Sequence, residues 1–445
     1  MHERKINLTS AQILALGFMV VILAGSFLLS CPFSARDGQW TNYLTCLFTS
    51  VSATCVTGLV VTDTFTHWTF CGQLVILLLI QVGGLGFMTV ITMFALMMRK
   101  KLAMHERRLL MQSAGTLRLS GVVRTIKRIL IGTMICELCG ASVLALRFSQ
   151  DMPARVAIWY GLFHAVSAFC NAGFDLMGRF GAASFTTYVG DPTVNLTIMA
   201  LIVVGGLGFL VWDDLLRHGF RVSKCELHTK IVLTTTGILI FGGAMLFYLT
   251  ERRAAFSGLT AWQRVLASLF QSVTTRTAGF NTVDEAALSQ SGGLISVLLM
   301  FVGGSPGSTA GGIKTVTFAV LVVSTLRCAR NESSVVMFRR KIEPDTVRQA
   351  GAVASMYLAG VILAVLIICA IEPISLLQAL FESVSAIGTV GLSMGVTQTL
   401  GTVSRLVLIF LMYAGRIGGL TLALALAEKR NRVPLERPVE KILIG

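Results

Sequence analysis

Four short segments of the chain follow one pattern: FTSVSATCVTG (48–58), FHAVSAFCNAG (163–173), FQSVTTRTAG (270–279) and FESVSAIGTVG (381–391). Each opens with Phe, carries Val at its fourth position and ends in Gly; the third is one residue shorter. The closing glycines, Gly58, Gly173, Gly279 and Gly391, stand 115, 106 and 112 residues apart. Beyond each comes a second glycine cluster: Gly83-Gly84-Leu85-Gly86-Phe87, Gly205-Gly206-Leu207-Gly208-Phe209, Gly303-Gly304 and Gly415-Arg416. Recurrence of both features argues against chance likeness of apolar runs and makes the chain four copies of one unit.

Composition says what surrounds that unit. Only 13% of the residues are charged and the mean hydropathy is +0.76; soluble domains carry about 25% charge, so lipid is the solvent. Apolar spans near the roughly 20 residues needed to cross hydrocarbon flank every segment. First spans fall at 10–30, 125–147, 230–249 and 349–371, and second spans at 70–98, 193–216, 289–327 and 402–427. The expected fold is an all-α polytopic membrane protein of four units, each a span, a short helix with its loop, and a second span. The units divide at 1–98, 99–217, 218–327 and 328–427, with a tail at 428–445. No small-residue cleavage site cleanly follows 11–29, so the first span is read as retained.

The net charge of +15 is distributed as a membrane protein distributes it. Of 37 Lys and Arg, 26 fall on one predicted side, at the N-terminus, 99–128, 217–230, 327–348 and 429–441. Nine fall on the other, and Lys314 and Arg416 lie inside apolar spans. This bias places both termini and the basic loops in the cytoplasm and removes the reason to invoke nucleic acid. Ten cysteines show no repeated CxxC and read as small buried hydrophobes. Cys31 and Cys71 could meet outside the membrane, but nothing compels it.

FTSVSA and its counterparts are too short to span, so each predicts about three turns of helix that enter and stop part way. Non-helical backbone at membrane depth is tolerated only where it is buried or lines a watery cavity. Four copies suggest a ring, in which carbonyls replace the hydration shell of a cation. Glycine at each end allows the positive φ that turns a carbonyl inward. Thr54 and Thr57 can add hydroxyl oxygens or satisfy neighbouring amides.

The third unit breaks its second span with Gly303-Gly304-Ser305-Pro306-Gly307-Ser308-Thr309-Ala310-Gly311-Gly312. Glycine costs a helix about 1 kcal/mol and proline about 3, so two half-helices joined by a polar loop are expected; a closely packed kinked helix is the alternative. Ser305, Ser308 and Thr309 could satisfy its amides, with Lys314 at or just after the loop. Arg416 is the one charge in 407–427, and an ionisable residue at that depth is a functional candidate by default. It is expected to face the axis, bond the 303–312 carbonyls and raise the barrier to cations; a paired structural arginine is the alternative. Among Asp63, Asp175, Asp191, Asp284 and Glu285, which could attract cations to the mouth, Asp175 and Asp284 are the better candidates. His164 and Glu382 are read as helix-start or packing residues. The glycines of 83–87 and 205–209 are read as close helix packing.

FTSVSATCVTGL, QVGGLGF (81–87), QSVTTRTAGFNT (271–282) and GGSPGSTAGGIKT (303–315) resemble the Trk/Ktr/HKT superfamily of potassium transporters, most of all the bacterial Ktr-type membrane subunit. The resemblance covers nearly the whole chain. It implies a channel-like fold with pseudo-fourfold symmetry in a homodimer, in the bacterial cytoplasmic membrane, regulated by a cytosolic nucleotide-binding ring of RCK type. It implies potassium uptake through a filter built of Thr54, Cys55, Val56, Thr57 and Gly58; Cys170, Asn171, Ala172 and Gly173; Arg276, Thr277, Ala278 and Gly279; and Gly388, Thr389, Val390 and Gly391. The 303–313 segment, with Lys314 and Arg416, would be the gate. Gly58, where sodium-transporting plant relatives carry serine, favours potassium; Cys55 departs from the threonine common in related filters. The alternative within the superfamily is a sodium-dependent or sodium-conducting transporter; outside it, a secondary transporter of an organic or anionic solute, since broken helices occur there too. No nucleotide fingerprint follows a predicted strand and no compact His, Asp and Ser set suggests an enzyme. Nucleotide therefore belongs to the partner, docked on basic loops such as 99–128, which otherwise face anionic lipid.

Overall fold

The computed structural model describes residues 9–86, 122–181, 184–219, 221–332 and 334–418. Expectations for 87–98, the 99–121 loop, 419–427 and both termini lie outside the described residues. Among the described residues four helices are long and apolar enough to cross a membrane: α1 (Ser10–Ser30), α5 (Val122–Phe148), α9 (Leu227–Thr250) and α13 (Pro344–Ile371). Between 28 and 39% of each span is buried within the protein. The remainder exposes side chains such as Val20, Phe27, Leu146, Phe241 and Leu366, a surface suited to lipid rather than water.

The short helices are α2 (Tyr43–Thr54), α6 (Ala154–Phe169), α10 (Ala261–Thr274) and α14 (Leu376–Gly388). Each starts several residues before the motif Phe. Asn42 caps α2, and capping boxes from Thr260 with Gln263 and Ser375 with Gln378 start α10 and α14. Residues 45–46 and 48–54 of α2 are all buried despite five Ser or Thr among them, so this helix is enclosed by protein on every side. The second helices are α4 (Phe70–Leu85), α7 (Pro192–Gly206), α11 (Gln290–Phe301) and α15 (Thr402–Ile417). A four-residue helix α3 (Thr64–His67) precedes α4, and a two-stranded hairpin, β1 (Val336–Met337) with β2 (Arg340–Lys341), precedes α13.

The units pack in a closed cycle. Each second helix touches the short helix of the following unit: α4 with α6, α7 with α10, α11 with α14, and α15 with α2. Glycine permits the closeness within units. A Cβ on Gly83, Gly205 or Gly415 would overlap the carbonyl of Thr54, Phe169 or Ile387 at the inner end of its own short helix.

One expectation fails. The 193–216 span is not continuous: α7 stops at Gly206 and α8 (Phe209–His218) leaves it at 94°. Gly208, at φ +91°, makes the turn. Gly86 and Gly418 end α4 and α15 at φ +80° and +92°. The second glycine clusters therefore serve both close packing and helix termination. In the third unit the break is longest, from Val302 to Lys314, before α12 (Thr315–Ala329) resumes.

Candidate functional site

The four extended segments meet around one axis, and the glycines touch in cyclic order. A Cβ on Gly58 would stand 2.5 Å from the Ala172 carbonyl oxygen; on Gly173, 2.9 Å from that of Ala278; on Gly279, 2.5 Å from that of Val390; on Gly391 it would overlap the Thr57 oxygen and close the ring. All four glycines have positive φ, from +70° to +95°. Two residues earlier, Val56, Asn171, Thr277 and Thr389 are also left-handed, at φ +51° to +65°. Three of these are β-branched, a conformation that costs on the order of 1–2 kcal/mol each. Such strain persists only where its surroundings impose it, and it clusters at functional sites.

The motif carries its own braces. The amides of Thr57, Ala172 and Val390 donate to the carbonyls of Ser52, Ser167 and Ser385, and Ala278 to Thr274 (2.7–3.0 Å). The side chains of the same four residues then hold the loop end. Ser52 and Ser385 Oγ accept from Gly58 and Gly391 N–H at 3.0 and 3.1 Å. Ser167 Oγ and Thr274 Oγ1 donate to Phe174 and Phe280 carbonyls at 2.8 and 2.5 Å. Sequence reasoning missed this role, although a hydroxyl at the fifth position of every motif was a legible signal. Thr54 and Thr57 hydroxyls bond no protein group, so they do not satisfy neighbouring amides. Arg276 contributes backbone to its loop, but its side chain is buried behind it, beside Val203, Thr236, Ile240 and Gly304.

His164 and Glu382 are not helix-start residues; they sit mid-helix and tie down the chain that returns from the ring. His164 Nε2 accepts from Leu176 N–H at 3.1 Å, while Nδ1 faces the Tyr160 carbonyl at 2.7 Å. Glu382 accepts from Ser393 Oγ, Met394 N–H and Thr397 Oγ1 at 2.5, 3.2 and 2.6 Å. Gln271, at the same motif position, donates to both Glu285 oxygens at 2.8 and 2.9 Å.

A cavity of about 230 Å³ opens at one end of the ring, floored by the four glycines and walled in part by Asp63, Asp175, Asp284 and Glu285. Asp191 does not line it. It caps α7 through Thr193 and Val194 N–H and pairs with Arg147, so its charge is already used. Burial pushes the Asp175 carboxyl up to about 7, opposed by the Met177 N–H and reinforced by Asp63. Burial pushes Glu285 up to about 8, opposed by Gln271 and reinforced by Asp284 and Glu251.

At the other end of the ring lies the 302–314 segment. Its amides are satisfied by backbone: Gly303 by Ile313, Ser305 by Gly206, Thr309 by Gly205 and Thr315 by Gly304, at 2.8–3.4 Å. Its hydroxyls do not accept from amides as expected. Ser308 donates to the Ser305 carbonyl (2.7 Å), Thr309 to that of Phe169 (3.1 Å), and Ser305 shares a hydrogen with Thr315 Oγ1 (3.1 Å). Lys314 Nζ closes the segment on the Ala310 carbonyl at 2.7 Å. Arg416 reaches across from α15 and donates to the carbonyls of Thr309, Gly83 and Gly84. One guanidinium thus joins the segment to the end of α4, using the five-donor fork that lysine lacks.

The chain as a whole is matched among known proteins. The family described as TrkH, cation transport protein, matches residues 8–433. The chain belongs to the TrkH family of cation transport proteins. Within the Trk/Ktr/HKT superfamily, relatives include the potassium/sodium uptake protein NtpJ of Enterococcus hirae, 37% identical with 99% of this chain and 98% of that one covered. Another is the Ktr system potassium uptake protein B of Bacillus subtilis, 38% identical with 95% and 94% covered. The crystal structure of the potassium transporter TrkH from Vibrio parahaemolyticus shares the fold, with a TM-score of 0.74 over 96% of this chain and 86% of that one, at 18% identity. TrkH membership makes this a multi-pass transport protein and not an enzyme.

Proposed function

We propose that the protein takes up potassium across the cell membrane through the axis of the glycine ring. Thr54–Gly58, Cys170–Gly173, Arg276–Gly279 and Gly388–Gly391 form the selectivity filter, and the carbonyls of Thr57, Ala172, Ala278 and Val390 replace potassium's water shell. The observation that carries this reading is the closed contact cycle of Gly58, Gly173, Gly279 and Gly391. In this reading the acidic cavity is the extracellular mouth and both termini lie in the cytoplasm, in keeping with the Lys and Arg bias. Gly303–Gly312 with Lys314 is the gate, and Arg416 both latches it and opposes cations. The units of this reading are 1–98, 99–217, 218–327 and 328–427, with a tail at 428–445. Assembly as a homodimer on a cytosolic RCK-type ring is part of the reading, with nucleotide on the ring and none in this chain.

The test is flux through purified protein in potassium-loaded vesicles, with and without an RCK-type partner encoded beside it. Potassium should exchange without any organic substrate, and the partner should raise the rate. Absence of cation-selective flux under both conditions sinks the reading. A second reading, sodium dependence or sodium conduction, is favoured by the Enterococcus hirae relative, whose name includes both ions. Potassium flux measured with and without sodium separates the two.

A further inference from the structure

We propose a zinc-class metal site formed by Asp214, His218 and Cys225, where α8 meets the start of α9. It is the one group of three or more such side chains, among the described residues, whose donor atoms converge: all lie within 4.8 Å of one another. Asp214 and His218 sit one turn apart on α8, and a short 3-10 turn (Val222–Lys224) returns Cys225 to them. Cys225 and Asp214 are buried, while His218 reaches the surface with 36% of its side chain exposed.

The donor set and spacing suit zinc. Thiolate, imidazole and carboxylate bind Zn²⁺ at about 2.3, 2.0–2.1 and 2.0–2.2 Å, so tetrahedral donors stand roughly 3.3–3.6 Å apart. The His218 Nδ1–Asp214 Oδ1 pair, hydrogen-bonded at 2.9 Å, opens slightly to admit the ion, and side-chain rotation brings in any wider pair, all donors lying within 4.8 Å. Nδ1 faces two acceptors, Asp214 Oδ1 and its backbone carbonyl at 3.0 Å, so the proton lies on Nδ1. On binding through Nδ1, the Cys225 thiol proton passes to solvent, while the His218 proton moves from Nδ1 to Nε2 by exchange with water, so the ligand stays a neutral imidazole. The other Asp214 oxygen is fixed by Glu226 N–H at 2.9 Å, which orients the ligand from the second shell. The exposed side of His218 leaves the fourth position to water or a partner's side chain. The bland alternative is an i,i+4 Asp–His pair within α8, with Asp214 capping the Glu226 amide.

A metal here would also bear on the broken second helix. α8 begins at Phe209, whose N–H donates to the Gly307 carbonyl at 2.9 Å, and a Cβ on Gly208 would lie 2.7 Å from the Pro306 oxygen. Clamping the far end of α8 onto α9 would hold this contact and keep the 303–312 segment in place. This consequence, unlike the site, rests on the reading of that segment as a gate.

The experiment uses the full chain, purified in detergent with reduced thiols and stripped of metal. Titrated Zn²⁺ should bind at one per chain, and Cys225→Ser and His218→Gln should each weaken it at least tenfold while Mg²⁺ fails to compete. No stoichiometric zinc, or equal affinity in the double variant, overturns the site. If the variants do not fold, Co²⁺ titration of the unaltered chain decides. A near-ultraviolet thiolate-to-cobalt band saturating at one equivalent supports the site, and its absence overturns it. In vesicles, zinc should lower potassium flux of the unaltered chain and not of Cys225→Ser. Flux unchanged by bound zinc overturns the link to the gate and leaves the site standing.

Discussion

Gly58 shows how little freedom a single position has here. Its φ of +93° excludes most side chains, and any Cβ would press to 2.5 Å from the Ala172 oxygen, well inside van der Waals contact. Gly58→Ser should therefore displace the carbonyl ring and lower the potassium-to-sodium permeability ratio, with the protein still inserted. Reversal potentials read this directly, and an unchanged ratio removes Gly58 from the filter. Asp175 gives a pH signature. With its carboxyl raised to about 7 by burial, it is largely neutral at pH 6 and ionised at pH 8, so the mouth becomes more negative as pH rises. Potassium uptake at subsaturating potassium should rise several-fold across that interval at low ionic strength, less in high salt. Asp175→Asn should flatten the rise. A profile that keeps its slope in the variant would place the titrating group elsewhere.

Among the elements, the broken third second-helix matters most. Three of its carbonyl and amide contacts reach Gly205, Gly206 and Arg416, so it is docked on its neighbours rather than free. Shortening Gly303–Gly312 while keeping α11 and α12 should raise basal potassium influx in uptake-deficient cells, without the cytosolic partner. Arg416→Ala removes donors to Thr309, Gly83 and Gly84. Only the bond to Thr309 holds the segment itself, and one hydrogen bond from a charged group contributes about 1.5–3 kcal/mol, so a rise of roughly tenfold or more is expected. The two changes combined should give less than the product of their effects, because both act on one latch. Unchanged influx in an inserted deletion would make the segment a structural kink with Arg416 as its brace.

For the whole molecule, the proposed orientation, with both termini in the cytoplasm, is one that native cysteines can report. All ten, including Cys31 and Cys71, are free thiols, and Cys71 and Cys328 are exposed near opposite ends of their helices. A membrane-impermeant maleimide should label Cys71 on intact cells and Cys328 only after lysis. The reverse pattern would invert the topology and with it the assignment of the acidic cavity as the outer mouth.

The motif itself determined the unit: four matched segments between apolar spans could only be four re-entrant loops, because lipid forbids unpaired backbone except where protein encloses it. The long first helices were legible for the same reason, being set by bilayer thickness. Arg416 stood out because a lone charge in an apolar run must have a partner. What the sequence could not supply was which partner. Its donors to Gly83 and Gly84, more than 300 residues away, exist only once α15 closes the cycle on α2. The 94° break at Gly208 was hidden because a glycine that packs and a glycine that turns are the same letter. The contact of each ring glycine with the next loop's carbonyl was likewise invisible, since three of the four join residues about a hundred positions apart and the fourth, Gly391 with Thr57, joins nearly the two ends of the chain. Periodicity records what one segment faces; only the tertiary structure decides what faces it back.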